Sequence, residues 1–165
     1  MKLARVLKHL LIPDWVSKRN FSARVLREIE KAIKASERRH QGELRFVAEG
    51  SMPIHYVFLK RSSRRRAEEL FSSLRVWDTE RNTGVLIYVQ LVSRHIDIVA
   101  DRGIAAKVAQ EEWDAVCRVM ESSFRKKEFL KGSLEALERV TALLVRHFPS
   151  AGGGVNELPD RPLVL

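Results

Sequence analysis

Between Gly84 and Val92 the apolar and aromatic side chains run almost without a break, the pattern of a strand covered on both faces. The next segment, His95 to Asp101, alternates instead: Ile96, Ile98 and Ala100 fall on one side, and His95, Asp97, Val99 and Asp101 on the other. It predicts a second strand with one largely polar face. An earlier strand is predicted over Glu43–Glu49, where Leu44, Phe46 and Ala48 alternate with Arg45, Val47 and Glu49. Helical spacing takes over elsewhere. Ser22 is placed as an N-cap for a helix running to about His40, with Val25, Ile29 and Ile33 inward and Gly42 as its stop. Ser62 or Ser63 caps a second helix with Ala67, Leu70, Phe71 and Leu74 as its stripe. A third, from about Ala109, carries Trp113, Val116, Cys117, Met120 and Phe124. A fourth, from Gly132 or Ser133, buries Leu134, Leu137, Val140, Leu144 and Phe148 up to Pro149. The stretch Ile54–Lys60 suits a loop or turn, and Arg125–Lys131 a charged connection.

The order of these elements fixes an architecture. A strand, a crossover helix and a second strand imply a parallel pair, and the short Ser93–Arg94 link makes the third strand antiparallel to its predecessor. The expected fold is α/β, a three-layer αβα sandwich on a small mixed sheet with one antiparallel hairpin. Three regions follow: residues 1–21, an amphipathic helix over Met1–Ile12 and its connector; residues 22–149, the folded domain; and residues 150–165, a Gly- and Pro-rich tail expected to be disordered.

Composition changes this picture little. A chain of 165 residues, 45% hydrophobic and 31% charged, is the size of one domain with a real core. Its net charge of +9 points to an anionic partner. The one dense basic cluster, Lys60 to Arg66, has no interleaved aromatic residue and no recognisable nucleic-acid motif, so a nucleic-acid role is disfavoured. An anionic membrane surface is the other candidate, reached by the basic amphipathic N-terminus. No apolar run is long enough to span a bilayer, and the N-terminus lacks a signal-peptide core, so the chain is expected in the cytoplasm, peripheral to the inner membrane face. Cys117 has no partner cysteine and reads as a core thiol.

The topology also gathers candidate chemistry. The end of the third strand lies beside the starts of the other two, which brings Asp101, Asn82, Asp78 and Glu43 to one edge. Glu37, His40 and Trp113 are expected near it. That oxygen-rich set suits a hard cation, Ca²⁺ or Mg²⁺; equally, Asp78 and Asp101 suit turn and cap positions that bind nearby amides. Nucleotide-binding loops, the G-x-S-x-G nucleophile turn and the H-E-x-x-H zinc helix are absent from the sequence.

The ordered series His40-x-Gly42-Glu43-Leu44-Arg45, Val76-Trp77-x-Thr79, Asn82-x-Gly84-Val85 and Ile98-Val99-Ala100-Asp101-Arg102-Gly103, followed by Trp113, resembles the TPM domain family. That family occurs in thylakoid-lumen proteins of photosystem II repair and in bacterial relatives, and the likeness is to its short bacterial form. The resemblance implies the same αβα fold. It implies divalent-cation binding without clear catalysis, or acid-phosphatase activity. Two functions are therefore expected: an accessory module with a protein partner, or a metal-dependent acid-phosphatase-like hydrolase of phosphate esters in which Asp78, Asp101 and Glu43 act as ligands or acid-base groups and Arg81 or Arg102 contacts phosphate. No catalytic residue is assigned. Asp101 and Asn82 match the family pattern, but Arg81-Asn82-Thr83-Gly84 stands where an acidic residue is expected, which removes a negative ligand and adds a cation.

Overall fold

A computed structural model describes residues 19–59, 61–150, 152 and 155–165. The amphipathic helix expected over Met1–Ile12 lies outside them. Helix α1 (Ala23–Glu37) starts where Ser22 Oγ accepts the Val25 amide, and it buries Ile29 and Ile33. It leads into β1 (Glu43–Glu49). The short helix α2 (Ile54–Phe58) replaces the loop or turn expected there, because Tyr56 and Val57 turn inward onto Met52 as a small apolar cluster. Helix α3 (Ser63–Ser73) follows, capped by Ser62, whose hydroxyl accepts the Arg65 amide.

Strands β2 (Gly84–Gln90) and β3 (His95–Ala100) form the hairpin, in register Val85 with Ala100 and Gln90 with His95. β1 lies parallel to β2, with Glu43 beside Gly84. A one-turn helix α4 (Arg102–Ala105) is capped by Asp101. Then come α5 (Gln110–Arg125) and α6 (Phe129–His147). α6 starts earlier than Gly132, because the Phe129 ring is drawn in against Phe124 and Phe21, with centroids 4.9 and 5.9 Å away.

Two cores flank the sheet. Leu44, Phe46, Val85, Ile87, Ile96 and Ile98 meet the apolar stripes of α1, α5 and α6 on one face. Val47, Leu86, Tyr88 and Val99 meet Ala67 and Leu70 of α3, and Leu158 of the tail, on the other. This is an α/β fold of three layers. The face of β3 expected to be polar is covered: Ser63 Oγ donates to Asp97 Oδ2 at 2.5 Å, and Arg64 Nη1 donates to the Ile98 carbonyl at 2.6 Å.

The tail differs most from expectation. Leu163–Val164 adds a fourth strand, β4, parallel to β1, giving the order β3-β2-β1-β4. Its order comes from long-range partners: Arg45 Nη1 donates to the carbonyls of Pro159 and Arg161, each at 2.6 Å, and Leu158 sits in the second core. Gly50 and Leu165 close the pairing through the Gly50 amide and the Leu165 carbonyl, 3.0 Å apart.

Candidate functional site

Asp101 ends β3 and caps α4, and two close approaches fix it. The Asp101 amide donates to Gly84 O at 2.9 Å and the Gly103 amide to Asn82 O at 3.2 Å. Asn82 takes a left-handed φ of 54°, which asparagine tolerates better than most residues. A Cβ on Gly103 would stand 2.5 Å from Asn82 O, and one on Gly84 only 1.8 Å from Val76 O. Both glycines are therefore required by backbone crowding, and the Asp-Arg-Gly turn is a backbone clasp. Asp101 Oδ1 accepts the Arg102 amide at 2.7 Å, whereas Oδ2 is buried with no hydrogen-bond partner; the residue is 9% exposed. Arg102 Nε donates to Asn82 Oδ1 at 3.1 Å. Arg81 turns toward Gln41, donating from Nη1 to Oε1.

Glu43 is turned toward the tail. Its Oε2 accepts the amides of Glu157 and Leu158 at 3.2 and 3.1 Å, and burial raises its pKa above the usual carboxylate range. Glu37 Oε1 accepts the Leu44 amide at 2.8 Å. Burial pushes the Glu37 pKa up to about 9, helped by the neighbouring charges of Glu43 and Asp160 and a hydrogen bond with Asp160. Glu37 is thus a neutral acid at pH 7.

His40 is held neutral by burial, which brings its pKa down to about 4. Its Nδ1 accepts the Gly42 amide at 3.1 Å, so its Nε2 carries the proton and donates to Ser36 Oγ at 2.7 Å. Ser36 donates in turn to Thr141 Oγ1 at 2.6 Å, and Thr141 to the Leu137 carbonyl at 2.6 Å. This one-directional chain joins α1 to α6. Asp78 is exposed on the loop after α3, and Trp113 is buried in the first core. Burial pushes the Cys117 thiol up to about 12, with Asp97, Glu121 and Asp114 adding to it, so it is a poor nucleophile.

Sequence reasoning missed the polar network at the opposite ends of β1 and β2. Glu49, 2% exposed, accepts three donors: Arg66 Nη2 at 2.7 Å, Arg66 Nε at 3.1 Å and Tyr88 OH at 2.5 Å. Arg66 and Arg61 both stack on Tyr56, 5.6 and 5.1 Å from its centroid. Burial drives the Tyr88 hydroxyl pKa far up, so it stays a donor. The signal was present: a tyrosine within an apolar strand needs a partner for its hydroxyl. Much of the basic cluster therefore serves the fold.

The edge brings together Asp101, Asn82 and Arg102, and separately Glu37, Glu43 and Asp160. Calcium takes six to eight oxygen ligands and magnesium six. Here Asn82 Oδ1 and Glu43 Oε2 already accept hydrogen bonds, and among the described residues no group of three or more His, Cys, Asp or Glu side chains is arranged to hold a metal ion. The expected donor set does not fit a cation cage.

Fold and edge together define a small αβα domain whose Asp-Arg-Gly turn is a structural clasp around one buried carboxylate. The profile of the TPM domain family matches residues 18–143, and the chain belongs to that family. Its structure is similar to the NMR structure of the BA42 protein from the psychrophilic bacterium Bizionia argentinensis, with a TM-score of 0.77 and 26% identity over 87% of this chain and 94% of that one. It also shares the fold of the N-terminal domain of a P. gingivalis protein, with a TM-score of 0.62 and 16% identity over 83% of this chain and 92% of that one. Comparison with curated proteins finds none that match.

Proposed function

We propose that the chain is a non-catalytic TPM-domain accessory module, which binds a protein partner and works peripherally at an anionic membrane face. The observation that carries this reading is the use of the edge carboxylates as acceptors for the chain's own amides: Glu37 for Leu44, Glu43 for Glu157 and Leu158, and Asp101 for Arg102. Acids engaged in this way hold the backbone and are poorly placed to exchange protons or bind a phosphate ester. The membrane part is supported by the net charge of +9 and by Phe58 and Leu59, 65% and 61% exposed just before the arginines of α3. No helix among the described residues is long and apolar enough to cross a membrane.

Two experiments test the reading. In the first, p-nitrophenyl phosphate is supplied between pH 5 and 8 with Mg²⁺ or Ca²⁺, and no turnover above a buffer control is expected. Turnover that is lost in Asp101→Asn would overturn the proposal in favour of the hydrolase. In the second, flotation with vesicles containing anionic lipid should retain the chain, and Phe58→Ser/Leu59→Ser should release it. Equal recovery with and without vesicles removes the membrane part.

A further inference from the structure

A cavity of about 430 Å³ opens beyond the carboxyl end of β2, on the far side of the sheet ends from Asp101. Its floor is apolar: Val89 and Ile96 belong to the first core, and Leu91, Phe124 and Phe129 pack against that core from the turn, α5 and the start of α6. Its rim is cationic, with Arg19, Arg94, Arg125 and Lys127 against a single carboxylate, Glu121. Glu121 is already paired with Arg125 at 3.4 Å and lies 3.7 Å from the His95 ring. Arg19, Arg94 and Lys127 have no ion-pair partner among the described residues.

The backbone adds an independent observation. Arg94 and Lys127 both hold a positive φ, 54° and 63°, a conformation that costs a residue with a side chain more than it costs glycine. Lys127 follows the last turn of α5, its amide donating to the Phe124 carbonyl, where glycine is the usual residue. Arg94 ends the hairpin turn, its amide donating to Leu91 O. Two rim positions thus keep a cation at a place where glycine would relieve the backbone. Strain of this kind concentrates at ligand sites.

We propose that this cavity binds a monomeric single-chain anionic amphiphile, a fatty carboxylate of medium chain length. The acyl chain lies on Leu91, Phe124 and Phe129, and the carboxylate is met by Arg94 and Lys127. The volume falls in the range of small-molecule sites, roughly 300 to 1,000 Å³. A bare anion would leave the apolar floor in water, and a cationic amphiphile would meet the rim with like charge.

The test is a titration of the isotopically labelled full chain, followed by amide chemical shifts, with sodium decanoate, decyltrimethylammonium and acetate as probes below any micellar concentration. Decanoate should give saturable shifts clustered at Leu91, Ile96, Phe124 and Phe129, and the other two probes should leave those amides unmoved. Arg94→Gly and Lys127→Gly should each raise the thermal midpoint, by relief of the backbone, and weaken decanoate binding at least fivefold. A structural role alone would raise the midpoint and leave binding unchanged. The proposal is overturned if decanoate shifts are absent or scattered, if the cationic probe binds equally, or if the glycine variants bind as tightly as the parent. In the Phe58→Ser/Leu59→Ser variant, which is expected to stay off the vesicle surface, anionic vesicles in place of decanoate should not move these amides; if they do, the site takes lipid from a bilayer and the assignment to a monomer fails.

Discussion

Replacing Glu37 by glutamine should make the protein more stable at neutral and alkaline pH, and the gain should grow with pH. The Glu37 carboxyl is held at about 9 in the fold, through burial and the charges of Glu43 and Asp160, against an ordinary value of 4.5. Between those two values the folded chain binds more protons than the unfolded chain. Stability carried by this group is therefore complete below about pH 4.5 and is lost as pH rises toward 9, at up to about 1.36 kcal/mol per unit. From pH 5 to pH 8 the ceiling is roughly 4 kcal/mol, and water on the open side of Glu37 reduces the expected change to about 2 kcal/mol. Glutamine resembles the neutral acid: its carbonyl accepts the Leu44 amide and its NH₂ faces Asp160. Urea unfolding of parent and variant at pH 5 and pH 8 gives the difference directly, and other titrating groups cancel in the subtraction. A variant destabilised equally at both pH values would refute the reasoning, since it would mean that Glu37 is ionised in the fold. Glu37→Ala should instead lose about 1 to 3 kcal/mol at pH 5, because the Leu44 amide is left without an acceptor, and less at pH 8, where the parent's own carboxyl is being titrated.

Three further outcomes follow from the same contacts. The ring of His40 should stay neutral down to about pH 4, so the stability it carries is present above its unfolded value of 6.5 and is lost as pH falls through 4; an NMR titration with a midpoint near 6.5 would contradict the buried relay. Gly84→Ala should cost roughly 3 kcal/mol or more, or prevent folding, because the added Cβ falls 1.8 Å from the Val76 carbonyl; a thermal midpoint equal to the parent's would disprove that contact. Removal of residues 157–165 should lower stability by several kcal/mol and promote concentration-dependent association, measured by urea unfolding and sedimentation; a stable monomer would show that the tail contributes little.

Most of what was legible rested on local forces, though the short helix α2, equally local, was not legible. The stripe Ile29–Ile33, the Ser22 and Ser62 caps and the unbroken run of β2 each depend on neighbours within a turn or a strand, and each stands where periodicity places it. Asp101 was legible as a cap for the same reason. The tail was not, because its order resides in Arg45 and Glu43, more than a hundred residues away. The candidate edge was half legible. Topology brought Asp101 and Asn82 together, but only coordinates reveal that Glu43 faces tail amides and that Asn82 already accepts from Arg102. Arg66 looked like part of a solvated basic cluster, since nothing in its own helix signals the buried Glu49 from the preceding strand.

The strand order β3-β2-β1-β4 also sets a schedule for synthesis. β1 emerges from the ribosome early and β2 pairs with it once the crossover is complete, yet its outer edge stays open until residues 163–164 have been made. For the whole of that interval the nascent domain presents an unpaired strand to neighbouring chains. The positive charge of Arg45, at that edge, repels a second copy until the carbonyls of Pro159 and Arg161 arrive to occupy it.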